Sequence, residues 1–152
     1  MSSPEPPRSS PGPALSAKMS TLARRDTKPE LLLRRELHRR GLRYRVQVKV
    51  PGNDRRSIDV AFTRVRLAVY VDGCFWHGCP EHVHLPKTNR DWWDWKIVRN
   101  QERDRDTDRL LRDAGWQVVR VWEHEAAQSA ADLVESAWRG LVDEPPRCRP
   151  RQ

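Results

Sequence analysis

Apolar positions along this chain change their period several times, and each change marks an element. In "DTKPELLLRRELHRRG", Leu33 and Leu37 fall four apart on one helical face, with the arginines elsewhere. Thr27 followed three residues later by Glu30 makes a capping box, Pro29 suits a first turn, and Gly41 ends the helix. The next stretch, "LRYRVQVKV", alternates strictly. Leu42, Tyr44, Val46, Val48 and Val50 face one way, and Arg43, Arg45, Gln47 and Lys49 face the other. That pattern predicts a half-buried strand with a basic outer face. "PGND" turns the chain, and "SIDVAF" and "RLAVYVDG" predict two short strands around a "TRVR" turn. The second is nearly all apolar, as a central strand should be. A long, charge-laced helix is expected from Asp91 to Gly115, a buried strand over "WQVVRVW", and a last amphipathic helix over "AADLVESAWRGLV". The order αβββ, a loop bearing cysteine and histidine, then αβα predicts an α/β fold with a central sheet flanked by helices.

A length of 152 residues fits one domain with a substantial core, and 33% charged residues predict a highly charged surface. No run of about 18 apolar residues occurs, so no membrane-spanning segment is expected. The opening "MSSPEPPRSSPGPALSAK" is rich in Pro and Ser and lacks an apolar h-region. Residues 1–17 are therefore expected to form a disordered arm rather than a signal peptide, residues 18–142 the folded domain, and 143–152 a flexible basic tail. Three cysteines, two of them beside histidines, suggest metal binding in a reducing compartment, hence the cytoplasm. The net charge of +8 is unevenly spread. Residues 1–50 hold 12 Lys/Arg against 4 Asp/Glu, whereas residues 51–152 hold 17 of each. Charge concentrated from Lys18 to Lys49 is a footprint for a polyanion such as nucleic acid, the plainer alternative being a solvated arm that keeps the chain soluble.

Candidate chemistry gathers around "VDGCFWHGCPEH". Asp59, between Ile58 and Val60 in a short strand, needs a metal or a positive partner if buried; otherwise it is an edge-strand acid facing water. Asp72 closes the next strand, and two carboxylates on the ends of adjacent strands suit a Mg²⁺-dependent phosphodiesterase. Cys74, Cys79 and His82 can supply three ligands of a tetrahedral zinc site, with His124 as the remote fourth and His84 and Cys148 in reserve. The alternative is two buried cysteines and unrelated surface histidines. His77 is left over from that set; it could activate a water or protonate a leaving group, or merely cap the loop. Phe75, Trp76, Trp92, Trp93 and Trp95 fall within one short span and could serve either core packing or stacking on nucleic acid.

Taken together, "MSTLARRDTKPE", "VDGCFWHGCPEH", "PKTNRDWWDWKI", "NQERDRD" and "GWQVVRVWEHE" resemble the very-short-patch-repair (T·G mismatch) DNA endonucleases. The resemblance runs from about Lys18 to Glu125, and its Gly-Cys-Phe-Trp-His run is highly specific. It implies a restriction-endonuclease-like fold of the PD-(D/E)xK superfamily. The implied activity is a nick 5′ to the T of a T·G mismatch left by deamination of 5-methylcytosine. Position by position, it implies that Asp59 binds the catalytic metal, that the Val71 backbone carbonyl shares it, and that His77 is the general base. Glu30 and Asp104 match acids that hold metal-bound waters or orient the histidine, and Phe75, Trp76 and Trp93 match aromatics that wedge into DNA. Two departures stand out. Better-known members carry a His where this chain has Asp72, which could join the metal shell or orient His77. Their zinc set is Cys, His, Cys and a remote Cys, against Cys74, Cys79, His82 and His124 here.

The expected reaction is therefore Mg²⁺-assisted hydrolysis of one strand of double-stranded DNA by a monomer carrying a structural Zn²⁺. Lys18, Arg24, Arg25 and the basic strand face would hold phosphates, and mismatch-repair proteins are candidate partners. Two rival readings remain at this stage: a zinc-stabilised mismatch-binding module that does not cut, and a nuclease of the same fold with another DNA target.

Overall fold

The computed structural model describes residues 3–9, 26–74, 76–81 and 84–144, so Lys18, Arg24, Arg25, Phe75, His82 and Cys148 lie outside the described residues. Among the described residues, seven elements follow one another in the expected order: α1 (Lys28–Arg39), β1 (Arg45–Val50), β2 (Asn53–Phe62), β3 (Leu67–Asp72), α2 (Arg90–Asp113), β4 (Gln117–Trp122) and α3 (Ala127–Asp143). The strands form one mixed sheet in the order β1-β2-β3-β4. Two tight turns make β1–β2 and β2–β3 antiparallel, whereas β3 and β4 are parallel. A parallel pair needs a crossover of a dozen or more residues, and α2 supplies it.

Both faces of the sheet are covered. Leu33 and Leu37 of α1 and Ala130, Ala131 and Val134 of α3 pack with Val60, Phe62, Leu67, Val69 and Val121 on one face. Val50, Ile58, Ala61, Ala68, Tyr70 and Leu111 of α2 form a second core on the other. The run "LAVYV" is apolar throughout because Leu67 and Val69 serve the first core while Ala68 and Tyr70 serve the second. Arg40 ties α1 to α3 through Asp132 at 2.7 Å and Glu135 at 3.0 Å. Among the described residues, no helix is long and apolar enough to cross a membrane.

Three local expectations change. Thr27 caps α1 by accepting the Glu30 N–H at 3.5 Å, but the Glu30 carboxylate accepts from the Asp26 N–H at 2.9 Å, not from Thr27. The box is thus opened by one residue, which turns Glu30 inward. Arg34, placed by its period on the outer face of α1, is buried and pairs with Glu30 at 3.2 Å. The alternation of β1 breaks at Gln47, whose φ of 54° is left-handed, and Val46 is left 44% exposed. Ser3–Ser9 is hydrogen-bonded at the start of α2 to Asn89, Trp92 and Trp95.

Candidate active site

The β2–β3 ladder stops at Val60 opposite Val69. Beyond that pair the Asp59 carboxylate accepts the Val71 N–H at 3.0 Å, a side chain taking a bond that the opposite strand would otherwise make. The strands part there, and a cleft of about 270 Å³ opens between their ends, α2 and the start of α1. Asp59, Asp72, Glu30, His77, Asp104 and Arg120 line it, with Arg55, Arg56 and Arg103 around them.

Acids and arginines line this cleft in equal number, four of each. Burial, with the charges of Glu30 and Asp72 adding to it, pushes the Asp59 carboxyl up to about 7. Burial also raises Glu30, against the pull of the Asp26 N–H and Arg34. A hard divalent cation would relieve that repulsion; among the described residues, the carboxylate group whose ligand atoms already lie close enough to share one ion is Asp72 and Asp104 with His77. The Tyr70 hydroxyl, also lining the cleft, is buried with no hydrogen-bond partner among the described residues, so the site has polar capacity to spare.

His77 stands opposite on the loop after β3. Its Nδ1 lies 2.5 Å from Asp104 Oδ2, and its Nε2 lies 3.9 Å from Asp72 Oδ1. A carboxylate at Nδ1 places the proton on that nitrogen and leaves Nε2 as the basic atom when the ring is neutral. Burial works to lower the His77 pKa, but the Asp104 bond and the Asp72 charge outweigh it and hold the pKa above its ordinary value. The backbone is held as well: Asn100 donates to the Trp76 carbonyl at 2.8 Å and Gln101 to the His77 carbonyl at 3.1 Å. Gly78 allows this approach, since a Cβ there would meet Ile97 of α2 at 2.6 Å, and its φ is 66°.

Asp72 is chiefly the partner of Arg120, whose Nη1 donates to both of its oxygens at 3.0 and 3.3 Å. Arg120 also holds Asp108 at 2.7 Å and the Asp104 carbonyl at 3.4 Å, and lies 4.4 Å over the Tyr70 ring. The chain reading missed Arg120, although a lone arginine inside "WQVVRVW" was the signal. It also missed Asn100, Gln101 and Asp108, whose polar types are unremarkable on a charged helix.

On the far side of the loop, Cys74 Sγ and Cys79 Sγ lie 3.2 and 3.8 Å from His124 Nδ1. Donors bound to one zinc at 2.0–2.3 Å in a tetrahedron stand roughly 3.5 Å apart, so this trio has the right spacing for such an ion. Burial and the neighbouring Cys79 push the Cys74 thiol up to about 11, so the thiolate form that a metal ligand needs calls for a cation beside it. His84 is exposed and outside the trio. Glu123 fixes the loop by accepting the Cys74 N–H at 2.9 Å. Among the aromatics, Trp93 is 7% exposed and packs between Trp76 and Trp92, with ring centroids 6.4 and 4.7 Å away.

A mixed sheet flanked by helices, whose strands part around a cleft of carboxylates and arginines with a paired histidine, fits a nuclease of restriction-endonuclease-like fold. Similarity to known proteins narrows it. The profile of the family described as "DNA mismatch endonuclease Vsr" matches residues 13–82. The type II nicking enzyme V.NaeI of Lentzea aerocolonigenes is 45% identical over 78% of this chain and 73% of its own length. The type II nicking enzyme V.XorIIP of Xanthomonas oryzae pv. oryzae is 35% identical over 82% of this chain and 89% of its own. The DNA mismatch endonuclease Vsr of Escherichia coli is 38% identical over 71% and 68%. The chain belongs to the Vsr family of DNA endonucleases.

Proposed function

We propose that this endonuclease nicks the T-containing strand of double-stranded DNA 5′ to the T of a T·G mismatch, with Mg²⁺ in the cleft that Asp59 lines. One observation carries the reading: His77, backed by Asp104, faces the same cleft as the charge-crowded Asp59. Asp59 and the Val71 carbonyl would hold Mg²⁺, with Glu30 beside them. The ion, when bound, supplies charge to stabilise the pentacovalent phosphate and the leaving oxygen. His77 Nε2 takes a proton from the attacking water, while Asp104 keeps the ring oriented and stabilises it when charged. Asp72 is held by Arg120 near the imidazole, which favours a role in orienting His77 over one in the metal shell.

The remaining assignments follow the same reading. Cys74, Cys79 and His124 hold a structural Zn²⁺ with His82 as fourth ligand, which keeps the His77 loop in place. Zinc should be found at about one equivalent per chain and be lost in Cys79→Ser. Lys18, Arg24, Arg25 and the cleft arginines hold phosphates, and Phe75, Trp76 and Trp93 enter the duplex at the weakened pair. The protein acts as a monomer in the cytoplasm, with mismatch-repair proteins as candidate partners.

A second reading is favoured by the relatives' own names, since several are called type II nicking enzymes rather than mismatch endonucleases. In that case the target is a different DNA site cut by the same residues. The deciding assay uses matched T·G, T·A, C·G and 5-methyl-C·G duplexes, in several sequence contexts, with Mg²⁺ or EDTA. A Mg²⁺-dependent nick beside T in T·G alone is the expected result. Cutting of every duplex would leave the nuclease and remove the mismatch, whereas tight T·G binding with no cut would remove the proposed catalysis.

A further inference from the structure

The first turns of α2 carry three side chains that take no part in the cleft, and the segment Ser3–Ser9 engages all of them. The Trp95 indole N–H donates to the Ser3 carbonyl at 2.9 Å, and the Trp92 indole N–H donates to the Glu5 carboxylate at 2.8 Å. The Arg8 guanidinium lies 4.6 Å over the Trp92 ring. Asn89 makes a two-way bond with one residue: the Ser9 N–H donates to its Oδ1, and its Nδ2 donates to the Ser9 carbonyl, each at 2.9 Å. Asn89 is also the N-cap of α2, yet with φ at 58° it makes no side-chain cap bond. A residue type that ordinarily stabilises a helix start has its amide turned to the segment instead.

The segment is built for this contact. Pro4, Pro6 and Pro7 fix their own φ, and each residue before a proline is confined to extended conformations. The free segment therefore already resembles the bound one, and its carbonyls are open to indole donors. Proline-rich chain docked on exposed aromatics is a recurrent mode of recognition.

Its placement bears on the aromatic cluster. Trp92 stands edge-on to Trp93 with the ring centroids 4.7 Å apart, Trp76 lies 6.4 Å away, and Trp93 is almost fully buried. A ring covered in this way cannot enter a base step. We propose that Ser3–Ser9 is an autoinhibitory strap: a proline-rich ligand bound in cis to the Asn89–Trp92–Trp95 face of α2, which holds Trp92 over Trp93 and leaves when the aromatics enter DNA. The proposal deepens, and rests on, the reading of Trp93 as a DNA-inserting residue. If the strap is docked for roughly 90–99% of the time, it weakens DNA binding about 10- to 100-fold.

The test uses the full chain by NMR, without added divalent metal so that DNA is bound and not cut. The comparison protein carries Pro4→Gly, Pro6→Gly and Pro7→Gly together, leaving α2 untouched. In the free wild type, nuclear Overhauser contacts between Ser3–Ser9 and the rings of Trp92 and Trp95 should be present. Solvent exchange of the two indole N–H groups should be at least tenfold faster in the triple-glycine protein. Equal exchange in the two would mean that the segment does not dock and would overturn the proposal. On adding T·G duplex the wild-type contacts should vanish, and the triple-glycine protein should bind about tenfold tighter. Contacts that persist in the complex, with equal affinity, would overturn autoinhibition. Trp93→Ala in the triple-glycine background separates the two readings. T·G preference that survives this change sinks the insertion role, whereas its loss supports both insertion and the strap that guards it.

Discussion

Asp59 carries the strongest consequence of any single side chain. Burial and the Glu30 and Asp72 charges raise its carboxyl to about 7, far above the ordinary value of about 3.9. A raised folded-state pKa means that the fold prefers the proton. That contribution is complete below about pH 4 and is lost as pH climbs through about 7. Without added divalent metal, Asp59→Asn is expected to stabilise the protein at pH 8 by on the order of 2 kcal/mol and to change little near pH 4. The same variant should not nick. Thermal unfolding across that pH range checks the first part, and identical melting at pH 8 would show that burying the Asp59 charge beside Glu30 and Asp72 costs nothing. His77 gives a second expectation. As the proposed base it must be neutral to accept a proton, and Asp104 and Asp72 hold its pKa above the ordinary value despite burial. Single-turnover nicking should therefore rise with pH to a plateau above neutrality. His77→Ala should cost about 10²- to 10⁴-fold. Asp104→Asn should lose less and move the rising limb to lower pH; an unmoved limb would detach Asp104 from the histidine.

Among the elements, α2 does most to build the site. It is the crossover that makes β3 and β4 parallel, and it brings Asn100 and Gln101 to the carbonyls of Trp76 and His77. Asn100 is itself buried, so Asn100→Ala leaves a carbonyl unpaired at a cost of about 1–3 kcal/mol. It should also lower nicking roughly tenfold by loosening the loop, while DNA affinity holds within about twofold. A loss of affinity as large as the loss of rate would instead assign Asn100 to DNA binding. The start of α1 and the strand periods were legible beforehand, because capping and alternation are local; α3 begins at Ala127, before the expected Ala130, with no side-chain cap to mark it. The inward turn of Glu30 and the break at Gln47 were not, since each depends on what packs against the element.

Charge belongs to the molecule as a whole. The excess of Lys and Arg lies in the first 50 residues, and more arginines rim the cleft. Binding to duplex DNA should weaken steeply with salt, at about −0.9 in log K per log salt for each phosphate neutralised. Replacing Lys18, Arg24 and Arg25 together with Ala should flatten that slope by up to about 3. Titrations at several salt concentrations decide it, and an unchanged slope would place the phosphate contacts elsewhere.

Residue order alone was enough for the succession of elements, the doubly buried β3, the basic first third and the loop that gathers Cys74, His77 and Cys79. Each of these is written in neighbours a few positions apart. Tertiary structure alone decided which groups meet: Asp59 with the Val71 N–H, His77 with Asp104, Asp72 with Arg120, the two thiols with His124, and Ser9 with Asn89. Those partners lie 12 to 80 residues apart in the chain. They are brought together by where two strands part and where one helix crosses, and no local period records that.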